Sequence, residues 1–372
     1  MPDNSVDSIV TDPPAGIGFM GKEWDSDKGG RNEWIKWLSE VMAESLRVLK
    51  PGGHAFVWAL PRTSHWTGTA LENAGFEVRD CVYHLFGSGF PKSLNIGKAV
   101  DKLQGNEREE FDNPLSKKQT GQKGTNALSG DRNDNLKISK GTSKWEGWGT
   151  ALKPAVECWW LVRKPLSEKT VAENVLKHGT GGINIDGSRV GTEERYNTPA
   201  GNKAGGNSLN MSKEGMPQDA EGTTAFGRFP ANLIHDGSDV ILKELNDEAR
   251  FFYTAKPSSS EKNLMYGEFE EKVNSKMFRT GNNESENISK GFERFDTKPA
   301  KNFHPTVKAQ SLMQYLIRLI TPPKGIVLDM FAGSGSTCLA AKNTGFRYIG
   351  IEIDPEYCKI AEARLKQGVL DF

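Results

Sequence analysis

Two short stretches, near opposite ends of a 372-residue chain, hold residue types that do chemistry at a turn. The later one, IVLDMFAGSG at 326–335, is an apolar run that ends in a glycine-containing turn and opens a helical pattern. Glycine there lets backbone approach a ligand closely, as strand-to-helix turns that hold nucleosides require. Glu352 follows at the end of the next apolar run, where one carboxylate can accept hydrogen bonds from both hydroxyls of a ribose. A dinucleotide fingerprint would need a third glycine where Cys338 stands, and no lysine follows in the pattern of a triphosphate loop. Phosphate binding is therefore disfavoured, and the spacing suits an adenosine-containing ligand. In the plainer alternative Gly333 and Gly335 only shape the turn and Phe331 belongs to the core. The earlier stretch, Asp12-Pro13-Pro14, sets a carboxylate and two prolines just after the apolar residues 8–10; alone, it reads equally well as an ordinary turn.

The elements around these stretches predict an α/β fold with a mostly parallel sheet. Strands are expected at 8–10, 54–60, 76–86, 156–162, 326–330 and 347–353. Helices are expected at 33–49, stopped by Pro51-Gly52-Gly53, and at 63–74, 311–320, 336–343 and 355–366, the last with proline at its start. Between them the composition shifts toward Gly, Asn, Ser and Lys with weak periodicity, most of all at 201–222 and 258–303, which read as long mobile loops. The organisation that follows is a half-domain at 1–100, a basic insertion at 101–155, a strand at 156–165, a second inserted region at 166–302 and a closing half-domain at 303–372.

Bulk composition narrows the function classes. Lys plus Arg and Asp plus Glu each number 48, so no global positive field holds nucleic acid and phosphate contacts must come from local patches. One such patch is the run Lys92, Lys98, Lys102, Arg108, Lys117, Lys118, Lys123, Arg132, Lys137, Lys140 and Lys144, followed by Trp145 and Trp148; a solvated loop would look the same. Four scattered cysteines form no C-x-x-C pair, which argues against a zinc site and a disulfide framework. No signal peptide and no apolar run of about 18 residues is visible, so a soluble, cytoplasmic protein is expected.

The residues of both turns resemble one enzyme family. Asp-x-Phe-x-Gly-x-Gly, over Asp329, Phe331, Gly333, Ser334 and Gly335, resembles the S-adenosylmethionine loop of amino-methyltransferases. That resemblance implies that the acidic residue and the backbone face the methionine end of the cofactor, with Phe331 beside it. Asp12-Pro13-Pro14, within TDPPAGIGFMGKEWD, resembles the D-P-P-Y motif of phage and bacterial N6-adenine and N4-cytosine DNA methyltransferases. His304-Pro305-Thr306-Val307-Lys308-Ala309 resembles their H-P-x-x-K-P element, which implies that Thr306 and Lys308 contact the cofactor carboxylate. Catalytic motif first, cofactor loop last and recognition region between them is the order of the β group. Weaker similarity extends to GWGTALKPAVE, GGINIDGSRV and GRFPANLIHDGS.

What the resemblance implies is a class I S-adenosylmethionine-dependent methyltransferase, a Rossmann-like sheet with an inserted target-recognition region, acting on double-stranded DNA in a bacterial or phage-infected cell. An exocyclic amine is a poor nucleophile because its lone pair is delocalised into the base. Hydrogen bonds to the Asp12 carboxylate and the Pro13 carbonyl, held rigid by two prolines, would favour a pyramidal nitrogen aimed at the sulfonium methyl. Adenine N6 is favoured over cytosine N4 because many cytosine enzymes carry Ser where Asp12 stands. Two departures stand out. Ala15 replaces the aromatic ring that stacks on a flipped base, and Phe19 and Trp24 are the nearest substitutes. The family's preceding Gly-Asp segment and strand are not seen before residue 8, so one strand is expected to be missing. The rival readings are a protein glutamine methyltransferase, disfavoured by Asp12 in place of Asn; a C5-cytosine enzyme, disfavoured because no cysteine follows proline; and a methyltransferase-like module without turnover. No metal is implied, and a homodimer stays open.

Overall fold

The computed structural model describes residues 1–87, 89, 93–112, 137–197, 223–255, 302, 304 and 307–366. Its strands are β1 (Val6–Thr11), β2 (Leu49–Ala59), β3 (Glu77–Leu85), β4 (Glu109–Asp112), β5 (Lys137–Lys140), β6 (Val156–Arg163), β7 (Val190–Asn197), β8 (Thr223–Arg228), β9 (Leu233–His235), β10 (Tyr253–Thr254), β11 (Ile326–Asp329) and β12 (Arg347–Gly350). Its α-helices are α1 (Arg31–Val48), α2 (Ser64–Asn73), α3 (Ile96–Gln104), α4 (Val171–His178), α5 (Asp239–Leu245), α6 (Gln310–Ile320), α7 (Ser336–Asn343) and α8 (Pro355–Lys366). The central sheet runs β10-β9-β3-β6-β2-β1-β11-β12. Every neighbour pair in it is parallel except the two that β6 makes, with β2 and with β3. Two hairpins, β4 with β5 and β7 with β8, lie outside it.

Alternating side chains put apolar residues on both faces of the sheet, as a sheet covered by helices on both sides demands. On one face Val6, Ile9, Ala55 and Val57 pack with Trp34, Leu38 and Met42 of α1 and Ala70 and Leu71 of α2. On the other Val10, Phe56, Trp159 and Val327 pack with Leu312 and Leu316 of α6 and Ala340 and Ala341 of α7. All six residues of β1 are buried, polar ones included, and each polar side chain finds a partner. Asp7 accepts from the Ile326 N–H at 2.7 Å and pairs with Lys50 at 2.6 Å; Ser8 shares a 2.8 Å hydrogen bond with Thr321. These bonds pin β1 against the start of β11, more than 300 residues away along the chain.

The mostly parallel α/β sheet is as expected, and the two α/β pieces are halves of one sheet. The strand count differs. Six strands were expected; among the described residues the central sheet has eight, because β9 and β10, from the region read as an insertion, extend it beyond β3. Pro51-Gly52-Gly53 was expected to stop a helix, yet α1 ends at Val48 and the three residues lie inside β2. The reason is a register shift between Val6 and Ser8: the chain bulges there, with Gly52 at φ 75° donating to the Lys164 carbonyl at 3.1 Å. The strand expected at 347–353 closes at Gly350, and Ile351 continues as a linker whose N–H bonds the Asp329 carbonyl at 2.8 Å. The loops expected at 201–222 and 258–303 lie outside the described residues except for Asn302. No described helix is long and apolar enough to cross a membrane.

Candidate active site

β1 and β11 are adjacent and parallel, with Ser8 opposite Val327 and Ile9 opposite Leu328, so their carboxyl ends open on the same edge of the sheet. The last residue of each strand reaches across: Thr11 Oγ1 donates to Asp329 Oδ1 at 2.7 Å in a buried bond. Asp329 also accepts the Phe331 N–H at 3.1 Å, which sets the first turn of the glycine loop. Burial raises the Asp329 pKa, and its bonds to Thr337 and Thr11 oppose the rise. The turn that begins at Asp12 and the loop that begins after Asp329 are therefore joined at their roots.

The loop after β11 is shaped by its glycines. Gly333 has φ 51° and lies against His304, whose Nε2 would be 2.6 Å from an added Cβ. Gly335 has φ 75° and lies against Ala361 of α8. Both positions therefore need a residue without a side chain. Glu352 bridges the loop: its carboxylate accepts the Gly333 N–H at 2.7 Å and the Asp354 N–H at 2.9 Å. Ser334 is buried, its carbonyl and hydroxyl accepting from the Arg364 guanidinium at 2.6 and 3.0 Å. Phe331 packs 5.8 Å from Trp37 of α1, which links the loop to the opposite helical layer. Ile353, beside Glu352, is 91% exposed.

Around Asp12 the structure assembles charges that lie far apart in sequence. Lys308, just before α6, places Nζ 3.3 Å from Asp12 Oδ2 and 3.6 Å from Glu157 Oε1, with only 12% of its side chain exposed. The same ammonium lies 4.1 Å from the ring centroid of Trp58, a cation–π contact. Strand register explains the grouping. Thr11 pairs with Val57, so Asp12 ends beside Trp58; Trp58 faces Trp159 on β6, two residues from Glu157, and Glu157 faces His84 on β3. His84 Nδ1 lies 3.8 Å from Glu157 Oε2. Burial pushes the Asp12 carboxyl up to about 6 against the pull of Lys308. Burial also acts to raise Glu157, but the ammonium and His84 outweigh it and hold that carboxyl at about 2. Burial works against the Lys308 charge, and the two carboxylates reverse that effect, so its pKa is raised.

The turn after Asp12 is organised by a residue the sequence did not single out. Asp25, fully buried, accepts the Gly16 N–H at 3.0 Å and the Phe19 N–H at 2.7 Å, closing residues 16–25 into a compact loop. Gly16, at φ 71°, sits on Trp34, whose Nε1 would be 2.6 Å from an added Cβ. The Ala15 carbonyl accepts from Thr63 Oγ1 at 3.0 Å.

Most of the residues singled out from sequence lie around this one sheet edge: Asp12, Pro13, Pro14 and Ala15 in one turn, Asp329, Phe331, Gly333, Ser334 and Gly335 in the other, Glu352 after β12 with its carboxylate on that second turn, and Lys308 at Asp12. Phe19 and Trp24 are on the Asp25-closed loop, and Thr306 lies outside the described residues. Lys308 is held by Asp12 and Glu157, where the resemblance implied a cofactor carboxylate. Glu157, Trp58, Asp25 and Thr11 were missed. The first inserted region folds around Arg108, whose guanidinium pairs with Asp101 and, at 2.8 Å, with Glu146. Arg108 was read as one of the phosphate-tracking cations, and this corrects it: a guanidinium engaged with two carboxylates has its donors already spent on the protein. Trp145 and Trp148 form an edge-to-face pair 5.0 Å apart, with Lys144 over Trp145 at 5.2 Å.

The sequence is similar to those of known proteins. Over 77 residues, 21% of this chain and 21% of the relative, the chain is 40% identical to the type II methyltransferase M.HinfI of Haemophilus influenzae. The chain spans between 21% and 27% of the length of the first four curated relatives it matches. A longer match, 24% identical over 343 residues, covers 92% of this chain and 72% of the type II methyltransferase M.HindIII of Haemophilus influenzae. Among solved structures, the cytosine-N4-specific PvuII DNA methyltransferase aligns over 100% of this chain and 83% of its own, at 13% identity and a TM-score of 0.44. The family profile described as DNA methylase, that of the N6/N4 methyltransferases, matches residues 6–95 and 197–363, both halves of the sheet and both turns. This chain belongs to the N6/N4 DNA methylase family.

Proposed function

We propose that this protein transfers a methyl group from S-adenosylmethionine to the exocyclic amino nitrogen of a base in double-stranded DNA, adenine N6 ahead of cytosine N4. The observation that carries the reading is the 2.7 Å bond from Thr11 to Asp329, which fixes the Asp12 turn and the glycine loop at one sheet edge. The donor set fits the cofactor. Each Glu352 oxygen makes one backbone bond and keeps a lone pair for a ribose hydroxyl, and the exposed Ile353 offers an apolar face beside it. When bound, the sulfonium supplies an electrophilic methyl: the amine nitrogen forms the N–C bond, the C–S bond breaks to leave a thioether, and one proton leaves the nitrogen.

This chain's own residues orient the nitrogen and take the proton. Asp12 accepts one amine N–H and the Pro13 carbonyl the other, which favours a pyramidal nitrogen. The Asp12 carboxylate then receives the released proton and passes it to solvent. Phe19 and Trp24 are the rings nearest in sequence that could stack on the base in place of the one Ala15 lacks, and Trp58 shares Lys308 with Asp12. Lys98, Lys102, Lys137, Lys140 and Lys144, with the Trp145–Trp148 pair, serve phosphate and base contacts, and residues 166–302 supply target recognition.

Incubation with methyl-labelled S-adenosylmethionine and mixed-sequence DNA, followed by mass spectrometry of the nucleosides, tests the reading. Label is expected in N6-methyladenine. Label in N4-methylcytosine reverses the base choice and keeps the class; label in C5-methylcytosine or in added protein, or no label at all, overturns it.

A further inference from the structure

Asp12 is not idle in this structure: its Oδ2 is already engaged by the Lys308 ammonium at 3.3 Å. A target amine that is to donate to this carboxylate must share it with, or take it from, that ammonium. An ammonium released into a buried place without another acceptor is strongly unfavourable. Here a second acceptor stands ready, since Glu157 Oε1 is 3.6 Å from the same Nζ. The Trp58 ring, 4.1 Å away, lines the position with an aromatic face that attracts a cation. Glu157 in turn faces its cross-strand neighbour His84, whose Nδ1 lies 3.8 Å from Oε2.

Building on the proposed function, we propose that Glu157 is a positioning residue for methyl transfer: it receives the Lys308 ammonium as the target amine takes its place on Asp12. The ammonium moves between two carboxylates and is never left unpaired, so Asp12 is freed for the amine without removing positive charge from the site. No proton moves in this exchange, and the charges of the three groups are the same before and after it. The charged and titratable groups facing Asp12 are Lys308, Glu157 and Asp329; those facing Glu157 are Lys308, His84, Asp12 and the neighbouring Cys158 thiol.

Two variants test this, Glu157→Gln, which keeps shape and removes charge, and Glu157→Asp, which keeps charge. The first readout needs neither cofactor nor DNA: carboxyl carbon-13 spectra of aspartate-labelled protein, with the Asp12 signal identified by its loss in Asp12→Asn. In Glu157→Gln the ammonium has only Asp12, and the negative charge that raises the Asp12 pKa is gone. The Asp12 midpoint is therefore expected to fall from about 6 by about one unit or more, and to return toward 6 in Glu157→Asp. The second readout is kinetic. A tighter Lys308–Asp12 pair resists the amine, so kcat/KM for DNA is expected to fall about 10- to 100-fold in Glu157→Gln, with cofactor affinity unchanged and partial rescue by aspartate. An Asp12 midpoint in Glu157→Gln equal to that of the parent overturns the proposal, as does a shifted midpoint with an unchanged kcat/KM. Failure of the unaltered protein to methylate any base defeats the proposed function alone, and the carbon-13 result still decides whether Glu157 governs Asp12.

Discussion

Replacing Asp12 by alanine is expected to cut methyl transfer by about 10²- to 10³-fold or more while leaving cofactor affinity within a few-fold of the parent. The separation follows from the geometry. Asp12 points at Lys308 and the cleft, whereas the glycine loop is shaped by Asp329, Glu352 and the glycines themselves. Removing the carboxylate takes away the acceptor that aligns the amine and leaves the loop intact. The parent protein should also lose activity as pH falls through about 6, because the amine needs the ionised form of Asp12. Single-turnover rates with equilibrium binding of S-adenosylmethionine measure both quantities; retained turnover in Asp12→Ala contradicts the role assigned to Asp12.

Replacing Lys308 by methionine should have the second largest effect, and the opposite pH signature to Glu157→Gln. Lys308 lowers the Asp12 pKa, so without it burial and the facing Glu157 act unopposed and the Asp12 midpoint rises above 6. At neutral pH more of the protein then carries a protonated Asp12 that cannot accept from the amine. Transfer at pH 7 is expected to fall about tenfold or more, and the acid limb of the rate profile to move to higher pH. Stability changes with pH in a defined direction. A carboxyl whose folded pKa lies above its unfolded value takes up protons on folding, so stability declines as pH rises between the two values and stays low above the folded one. The variant's loss should therefore be largest at alkaline pH, about 3 kcal/mol for a buried carboxylate left without its cation, and smallest near pH 4. Thermal or urea unfolding across that range checks the sign. A loss that grows on acidification contradicts the account.

These effects rest on residues of very unequal visibility in the sequence. β1 and β11 announce themselves as short apolar runs ending in distinctive turns, and α6 and α8 by helical spacing. That β1 pairs with β11 has no local signal, because strand register between residues more than 300 apart is a property of the packed sheet; only the family resemblance supplied it. Glu157 lies in the aromatic strand β6, VECWWLVR, and the available signal was its charge among apolar neighbours, since a carboxylate in such a place requires a partner. Asp25 is one of several acidic residues in a polar loop, and only the fold shows that it alone is buried and caps two backbone N–H groups. Arg108 was misread because charge counting along a basic stretch does not reveal Glu146, which is 38 residues further on. β9 and β10, at three and two residues, are too short for any periodicity to be visible.

Whether the Asp12 turn and the glycine loop share one cleft, with the methyl donor between them, can be measured by photolabelling. Ultraviolet irradiation of the protein with methyl-labelled S-adenosylmethionine, followed by peptide mapping of the adduct, reads the neighbours of the methyl group. Label is expected in peptides that carry residues 12–15 or 329–335, in Asp12→Ala as in the parent. Label confined to the region of Arg108 and Trp148, or to the β7–β8 hairpin, would contradict it.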